Sequence, residues 1–419
     1  MYEFVNLTFD ELDAFSKQYE NASFVQSKSM ALLQKDQNRQ DQNRQVVAYG
    51  VKEAGKLVAA GLFSMRKVLG KYTIAHCNQG PLIDFENLEL LQYYFDHVKA
   101  DLKQYHCIHL LVTPNFEVFS RDIEGEKTGE VNHLNWIKHL NKVGVKHLGF
   151  DNSKINGIGR WLFIKDFSNL ETEDDLMASF DHSTRKAIRK TIKDQIEVYQ
   201  VGLDEIDEFK KLTKQTSKRR DFKDRSLDYY YNLKRNFGDN CKVYLAKFNV
   251  EAYINALTTQ SQELEAEISE VETLIATQNA SKKIMNRLRI AKENLEVLKK
   301  RLAETEGFSD EKAVTIGGVI YIVHGRELTA LFAGNDDKYF GFNGTHAIHS
   351  VAMREALSED LERFNFYGTS GKFSGHDDDG IYRFKKGFGG YILEQPGNFE
   401  LPIIPWINRL YHFSRKFRR

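Results

Sequence analysis

The amino-acid sequence predicts a mixed α/β protein built from two tandem copies of one unit, with a long helical arm inserted in the second copy. Three observations predict this fold class. The chain of 419 residues is too long for one ordinary domain. The order helix, hairpin, strand, helix, strand occurs twice along it. In the second occurrence, residues 250–307 interrupt the hairpin with a helical apolar repeat.

The composition is that of a soluble globular protein, with 41% hydrophobic residues, 28% charged residues and a formal net charge of +0. Cys77, Cys107 and Cys241 are odd in number and far apart, so we expect reduced thiols in a cytoplasmic protein. Neither a signal peptide nor a membrane-spanning segment is predicted. The 13 histidines form no metal-ligand motif, and no P-loop, dinucleotide fingerprint or nucleophile elbow is present. We therefore expect no metal and no cofactor.

The first unit is predicted from alternating apolar strands, turn residues and helical periodicity. Its predicted elements are a helix at Thr8–Tyr19, a hairpin of Gln45–Val51 and Leu57–Val68, a strand at Tyr72–His76, a helix at Leu88–Gln104 and a strand at Cys107–Thr113. Thr8 or Asp10 caps the first helix.

The second unit follows the same order. Its predicted elements are helices at Asp204–Ser217 and Leu227–Phe237, a hairpin of Cys241–Phe248 and Ala313–Val323, a strand at Leu328–Ala333, a helix at His346–Leu361 and a strand at Arg363–Tyr367.

The inserted segment is predicted to be an antiparallel coiled-coil hairpin. Apolar or small residues recur at alternating spacings of three and four on both sides of a short turn at Gln278–Ser281. The seam positions are Ile254, Leu257, Ser261, Leu264, Ile268, Val271 and Ile275, then Ile284, Leu288, Ala291, Leu295, Leu298 and Leu302. At 1.5 Å per residue the arm extends roughly 35–40 Å.

The charges of the arm are segregated between its two helices. The first helix carries glutamates and no lysine or arginine up to Ile275, whereas the second is rich in both cations. Pairing between the helices is one interpretation. A surplus of positive charge that attracts a phosphate backbone is the other, and its candidate residues are Lys282, Lys283, Arg287, Arg289 and Lys299.

The segment Gly380–Gly390 is the main candidate for chemistry, because Phe384, Lys385 and Lys386 lie just before glycines that allow close approach of the backbone to a ligand. It follows the acidic run at residues 376–379. A lysine ammonium here suits an oxyanion or a phosphate. The alternative is a basic strand end with turn glycines. His346 and His349 share a helix face, and we expect them to be cap or surface residues.

Two further basic clusters have both a functional and a structural interpretation. Thr184–Lys190 forms a helix with one positive face, which is also typical of a solvated surface. Thr216–Phe222 places Arg219 and Arg220 near tyrosines, and arginine forks beside aromatic rings suit phosphates and sugar–base ligands. A capped helix end with solvated charges is the alternative.

Residues 406–419 form a basic tail that is rich in aromatic residues. Trp406, Leu410 and Phe413 alternate there with several arginines. This pattern fits peripheral contact with the inner membrane face. A packed terminal helix with a solvated end is the alternative.

Several short motifs, taken together, resemble the Fem/Mur (FemABX) family of aminoacyl-tRNA-dependent peptidoglycan peptidyltransferases, closest to its FemA/MurN branch. They occur in the order of the family across nearly the whole chain, with the helical arm among them. They are Asn78–Asp84 (NQGPLID), Thr184–Lys190, Thr216–Phe222 (TSKRRDF), Asn365–Gly371 (NFYGTSG) and Tyr382–Gly387 (YRFKKG). One departure is Thr113 before Pro114, where the family often has aspartate, so an acid or base role for that aspartate is not available here.

The resemblance implies two tandem GNAT-like domains, the first at 1–160 and the second at 161–249 and 308–405. The coiled-coil arm at 250–307 and the tail at 406–419 complete the chain. It further implies transfer of glycine, alanine or serine from aminoacyl-tRNA to the stem-peptide amine of lipid II, the undecaprenyl-linked precursor. The arm, with the five cations named above, would contact the tRNA. The oligomeric state is not predicted.

The resemblance also implies roles for individual residues. Lys385, beside Phe384, matches the lysine that stabilises the donor ester or its tetrahedral oxyanion. Arg219 or Arg220 falls near an arginine that binds the diphosphate of the precursor, and Lys35 near a second diphosphate-binding lysine. Tyr367 and Lys386, within the matching motifs, are expected to contact substrate.

Two other functions stay open from the sequence. An acyl-CoA-dependent GNAT N-acyltransferase would need a pyrophosphate-binding motif that opens a helix. The segment before Gly387 does not have the spacing of this motif. The motif would also have to be followed by a helix, whereas the strand-like Tyr391–Leu393 follows Gly387. A non-catalytic tRNA-binding protein would need only the arm.

Overall fold

The computed structural model describes residues 1–20, 22–41, 44–150, 160–277, 281–308, 312–373 and 380–416. The strands are β1 (Tyr2–Asn6), β2 (Arg44–Glu53), β3 (Lys56–Leu69), β4 (Tyr72–Asn78), β5 (Cys107–Thr113), β6 (Phe119–Arg121), β7 (Lys127–Asn132), β8 (Lys146–His147), β9 (Trp161–Asp166), β10 (Ile196–Val201), β11 (Cys241–Asn249), β12 (Ala313–His324), β13 (Glu327–Asn335), β14 (Arg363–Thr369), β15 (Tyr391–Glu394) and β16 (Phe399–Pro402).

The α-helices complete the architecture. They are α1 (Phe9–Gln18), α2 (Lys28–Asp41), α3 (Leu88–Gln104), α4 (Leu134–Lys142), α5 (Glu173–Ala178), α6 (His182–Lys193), α7 (Ile206–Arg219), α8 (Leu227–Phe237), α9 (Val250–Thr277), α10 (Lys282–Thr305), α11 (Gly344–Ser358), α12 (Gly380–Lys386) and α13 (Pro405–Lys416). Short 3-10 segments lie at Phe24–Gln26, Leu203–Glu205, Gly238–Asn240 and Asp337–Phe342. Among the described residues, no helix is both long and apolar enough to cross a membrane.

The first sheet has seven strands in the order β1-β2-β3-β4-β5-β16-β8. Its strands run antiparallel except for the parallel pair β4–β5. The helix α3 connects that pair and buries Leu91, Tyr94, Phe95, Val98 and Leu102 against the sheet. A connection through a helix is what a parallel strand pair requires.

The second sheet has nine strands in the order β10-β11-β12-β13-β14-β9-β15-β6-β7. Its parallel pair is β13–β14, and α11 makes the connection. The hairpin, strand, helix and strand of the first unit thus recur as β11, β12, β13, α11 and β14, as the sequence predicts. The boundaries of α3, β5 and α8 agree residue by residue with the prediction.

Both sheets contain strands from outside the predicted domain ranges. The hairpin β6–β7, from the range 1–160, extends the second sheet, and β15 joins it there to β9. The strand β16, from the range 308–405, pairs with β5 in the first sheet. These pairings join residues that are far apart in sequence, and the local patterns used above do not contain them.

The inserted arm consists of α9 and α10, which pack against each other along the predicted seam. Leu257, Ser261, Val271, Leu295 and Leu298 are buried between the helices although both are otherwise exposed to solvent. The predicted turn at residues 278–280 lies outside the described residues, and Ser281 caps α10 through its side chain. The arm is attached at β11 and β12, the two strands of the interrupted hairpin.

Candidate functional site

A cavity of about 790 Å³ lies where the parallel strands β13 and β14 separate. Their pairing ends at Thr329 and Asn365, and the residues beyond these positions line the cavity. The remaining walls come from the end of α7, the beginning of α11, and α12. The wall includes Arg219, Arg220, His346, His349, Tyr367, Phe384 and Lys385.

Lys385 is buried in the cavity wall, with 7% of its surface exposed. Its Nζ donates hydrogen bonds to the backbone carbonyls of Gly368 at 2.6 Å and Tyr367 at 3.3 Å. These two contacts hold the ammonium against β14. A positive charge held in a site of low dielectric stabilises a developing oxyanion more strongly than it does in water.

A bulge in β14 directs those two carbonyls towards the lysine. The register between β14 and β9 shifts between Asn365 and Gly368, and Tyr367 adopts a left-handed backbone with φ 63°. An aromatic residue rarely adopts this conformation, so the surrounding contacts must hold it. The Asn365 side chain does so, because its Oδ1 accepts a hydrogen bond from the Tyr367 amide at 2.7 Å.

Asn365 is itself fixed by a buried polar chain. Its Nδ2 donates to Oε1 of Glu327 at 3.1 Å, and Glu327 forms an ion pair with Arg363 at 2.7 Å. The sequence motif NFYGTSG contains Asn365, but the pattern of residues assigned it no role. The role of Asn365 as a support for the bulge is visible only in the structure, where Tyr367 has a left-handed φ.

An aromatic wall that contains two histidines faces Lys385. The ring of Phe384 lies 4.7 Å from that of His346 and 5.4 Å from that of His349, measured between centroids. Burial lowers the pKa of His346 to about 4 and that of His349 to about 3. Nδ1 of His349 and the Tyr321 hydroxyl share a hydrogen bond of 2.6 Å. Both imidazoles are therefore neutral at pH 7, and the expectation that they are cap or surface residues was wrong.

The segment Gly380–Lys386 is a helix, so the alternative of a basic strand end was also wrong. The glycines that follow this helix lie against other parts of the protein and not against a ligand site. A Cβ at Gly387 would meet Oγ1 of Thr184 at 2.2 Å, and one at Gly390 would meet the carbonyl oxygen of Ile164 at 2.2 Å. The glycines thus allow α12 to pack closely on α6 and β9. The acidic run at 376–379 lies outside the described residues.

Arg219 and Arg220 end α7 at the rim of the cavity. Arg219 forms an ion pair with Asp337, and its guanidinium lies 5.8 Å from the ring centroid of Phe340. Both arginines are exposed, and both line the cavity. The rim therefore combines fixed positive charge with an aromatic face, which suits an anionic group on a large ligand.

The sequence profile of the FemAB family matches residues 7–416. The chain belongs to the FemAB family. It is 26% identical over 426 residues to the aminoacyltransferase FemA of Staphylococcus epidermidis (strain ATCC 35984), with 100% of both chains covered. It is also 26% identical over 424 residues to the aminoacyltransferase FemA of Staphylococcus aureus (strain N315), with 99% of both covered. These findings confirm the predicted class of enzyme, an aminoacyltransferase.

The crystal structure of FemX has the same fold. It matches with a TM-score of 0.77 at 22% identity, and the match covers 97% of this chain and 99% of that chain. This likeness confirms the predicted fold class of a mixed α/β protein with two tandem GNAT-like units. The division into domains at residues 160 and 405 remains a prediction.

Two residues predicted by resemblance to the FemAB family do not line the cavity. Lys35, in α2, places its Nζ 4.4 Å from the ring centroid of Phe9 and is not among the residues that line the cavity. Lys386 forms an ion pair with Glu124 at 2.5 Å and is also absent from the cavity wall. In contrast, Lys385, Phe384, Tyr367 and both arginines are brought together.

Ion pairs engage part of the positive charge on the arm. Across the two helices, Arg287 pairs with Glu267 at 2.6 Å, Lys292 with Glu272 at 2.7 Å and Lys299 with Glu265 at 3.3 Å. Within α10, Arg289 pairs with Glu293 at 2.6 Å. Lys282 and Lys283, at the far end of the arm, are exposed and make no ion pair with any described residue. Pairing between the helices is therefore confirmed for part of the charge, and attraction of a phosphate backbone remains a prediction.

One group of side chains has the chemistry of a metal site. The ligand atoms of His109, Glu400 and His412 lie within 4.8 Å of one another, in the first sheet and α13 rather than in the cavity. Glu400 accepts hydrogen bonds from Nδ2 of Asn408 at 2.7 Å and shares one with Nε2 of His412 at 2.8 Å. These hydrogen bonds connect α13 to the first sheet.

Proposed function

We propose that this enzyme transfers glycine, alanine or serine from aminoacyl-tRNA to the stem-peptide amine of lipid II, and so builds the interpeptide bridge of peptidoglycan. The observation that carries this proposal is the buried ammonium of Lys385 in the wall of a cavity large enough for the reacting ends of both substrates. Membership of the FemAB family and the full-length aminoacyltransferase relatives support it.

The proposed reaction needs little acid–base chemistry from the protein. The neutral acceptor amine attacks the carbonyl carbon of the aminoacyl ester, which forms a C–N bond and a tetrahedral oxyanion. The ester C–O bond then breaks, and the ribose oxygen of the tRNA leaves and takes up a proton. The amine loses its proton through substrate or water. The ester is already activated, so positioning the amine accounts for much of the rate.

Lys385 is proposed to stabilise the oxyanion electrostatically, and Phe384 to form the apolar wall beside it. This wall keeps water away from the ester, because Phe384 packs on His346 and His349, which stay neutral. The carbonyl of Tyr367 fixes the position of the ammonium. A lysine held in this way is ready before the substrate arrives, so no reorganisation is needed during the reaction.

The arginines at the rim are proposed to bind the diphosphate of lipid II. Arg219 and Arg220 lie on the edge of the same cavity as Lys385. Guanidinium groups bind phosphate through bidentate hydrogen bonds. A diphosphate at the rim would leave the stem peptide free to extend into the cavity. Lys35 and Lys386 remain predictions for substrate binding that the cavity geometry does not favour.

The arm is proposed to bind the donor tRNA. Lys282 and Lys283 are the cations best placed for this, because ion pairs do not engage them within the described residues. Arg287, Arg289 and Lys299 can contribute by exchanging an exposed glutamate partner for a phosphate, at a cost of about 0–1 kcal/mol for each surface ion pair. Because lipid II is membrane-bound, we propose a peripheral position at the inner membrane face.

The test is a donor and acceptor screen. The purified protein is mixed with lipid II, with or without a first bridge residue, and with individually charged glycyl-, alanyl- or seryl-tRNA, and the products are identified by mass spectrometry. An increase in the mass of lipid II by one amino-acid residue supports the proposal. Release of free amino acid alone, or transfer from acetyl-CoA in place of tRNA, contradicts it. Binding of tRNA without turnover of any donor would instead indicate a non-catalytic binding protein.

A further inference from the structure

The helix α13 exposes an apolar face to solvent. Trp406, Leu410 and Phe413 are 64%, 59% and 62% exposed. At 100° per residue they fall within an arc of about 60° on one side of the helix. Three large apolar side chains in one stripe are unusual for a solvated surface, where such residues normally occur singly.

The opposite face of α13 is firmly packed. Ile407 and Asn408 are buried, and the amide of Asn408 donates to Glu400 on β16 at 2.7 Å. Oδ1 of Asn408 shares a hydrogen bond of 2.7 Å with Nδ1 of His109 on β5. The helix is therefore held on the first sheet, and its exposed stripe cannot turn inward to become part of the core. The packed terminal helix is therefore confirmed for this face of α13, and membrane contact remains a prediction for the exposed face.

Positive charge lies beside the stripe. Arg409 is exposed, and its position on the helix is adjacent to the arc of apolar residues. The sequence continues with Arg415, Lys416, Arg418 and Arg419, and residues 405–419 contain no acidic residue. A basic helix with one aromatic and aliphatic stripe fits a surface whose outer layer is negatively charged and whose interior is apolar.

We infer that this stripe, Trp406, Leu410 and Phe413 on α13, docks the enzyme on an anionic lipid bilayer. The three side chains enter the boundary between headgroups and acyl chains, while Arg409 contacts lipid phosphates. Charge complementarity favours lipid over a second copy of this chain, because two such helices would bring like charges together. The inference rests on the proposed function only in that a lipid-linked acceptor makes the membrane the relevant surface.

The experiment measures binding of the full chain to vesicles in the absence of any substrate. Wild-type protein and the triple variant W406S/L410S/F413S are sedimented with vesicles of phosphatidylglycerol and phosphatidylcholine in equal parts, and with phosphatidylcholine alone. We expect wild type to bind the anionic vesicles, and the triple variant to bind at least tenfold more weakly. Arg409→Gln should weaken binding by roughly fivefold, the amount expected for one basic residue near an anionic surface.

The chain offers a matched control on the arm. Met285, Ile290 and Val297 are 52%, 44% and 53% exposed on α10, so M285S/I290S/V297S also removes three exposed apolar side chains. This variant should bind vesicles like wild type. Equal losses in both triple variants, unchanged binding of the α13 variant, or no binding of wild type to anionic vesicles would overturn the inference. A wild-type dimer that dissociates in the α13 variant would also overturn it, because a second copy would then cover the stripe.

Turnover separates this inference from the proposed function. With a soluble stem-peptide acceptor the α13 variant should transfer as fast as wild type, whereas with lipid II in vesicles it should be slower. If wild type binds vesicles through α13 but transfers no amino acid to either acceptor, the proposed function fails while the docking surface stands.

Discussion

Replacing Lys385 by alanine should slow transfer by about 10² to 10³-fold in kcat, or about 2.7–4 kcal/mol, the range measured when one oxyanion-stabilising group is removed. The protein should remain folded. The short hydrogen bond to the Gly368 carbonyl at 2.6 Å is removed, which costs about 1–3 kcal/mol. Part of this cost is offset, because the variant no longer buries an ammonium. Only a moderate fall in Tm is expected.

The next residue in the chain provides the control. Lys386→Ala removes the same kind of side chain, but it breaks only an exposed ion pair with Glu124, worth about 0–1 kcal/mol. Initial rates are measured at saturating charged tRNA and lipid II, with Tm recorded for each variant. Turnover of the Lys385 variant within threefold of wild type would refute the assigned role. So would an equal loss in the Lys386 variant, because the effect would then not depend on the cavity.

Three further predictions test the surroundings of the lysine and the arm. Asn365→Ala removes the hydrogen bond that holds the β14 bulge and should lower kcat at least tenfold with a loss of about 1–2 kcal/mol in stability; wild-type kcat would show that the bulge needs no such support. Burial lowers the pKa of His346 from 6.5 to about 4, so the unfolded state binds more protons in that window, and this histidine should contribute a loss of up to about 3 kcal/mol of stability as the pH drops from 6.5 to 4. Buried His349 contributes a loss of the same sign, so His346→Phe should reduce the slope of stability against pH in urea titrations without abolishing it, and an unchanged slope would contradict the cause given. Replacing Lys282 and Lys283 by alanine should weaken tRNA binding and reduce the slope of log K against log salt by about 0.9 for each phosphate that is no longer neutralised. Arg289→Ala, which removes a cation already paired with Glu293, should change the affinity and the slope less. Equal effects would show that ion pairing does not decide which cations bind tRNA.

Local pattern predicted the repeated elements well. The helix at Leu88–Gln104 and the strand at Cys107–Thr113 have their predicted ends, because polar caps and an adjacent proline mark them in the sequence. The seam of the arm was also predicted in full, since its spacing is regular over many turns. What local pattern missed are pairings between distant segments. The strand β16 is four residues long and gains its stability from β5, which lies far from it in sequence.

The site was predicted in part, for a similar reason. Resemblance indicated Lys385 and Phe384, and the cavity places both in one wall. The helix that carries them was missed because alternating aromatic and basic residues in a short run fit a strand equally well. The histidines were misjudged because periodicity shows which residues share a helix face and does not show what packs against that face. Lys385 is held by backbone carbonyls of a bulge in which Tyr367 has a left-handed φ, and a sequence pattern does not show such backbone strain.

The exchange of strands between the two sheets has a consequence for how such a chain can evolve. Without β16, the edge of β5 would be open, and without β15 the hairpin β6–β7 would have no neighbouring strand. A gene split near residue 160 would therefore yield two fragments with bare edges, which invite aggregation and degradation in the cell. Once the two units of a tandem protein have exchanged strands in this way, neither unit can fold stably on its own. Selection then acts on both units together.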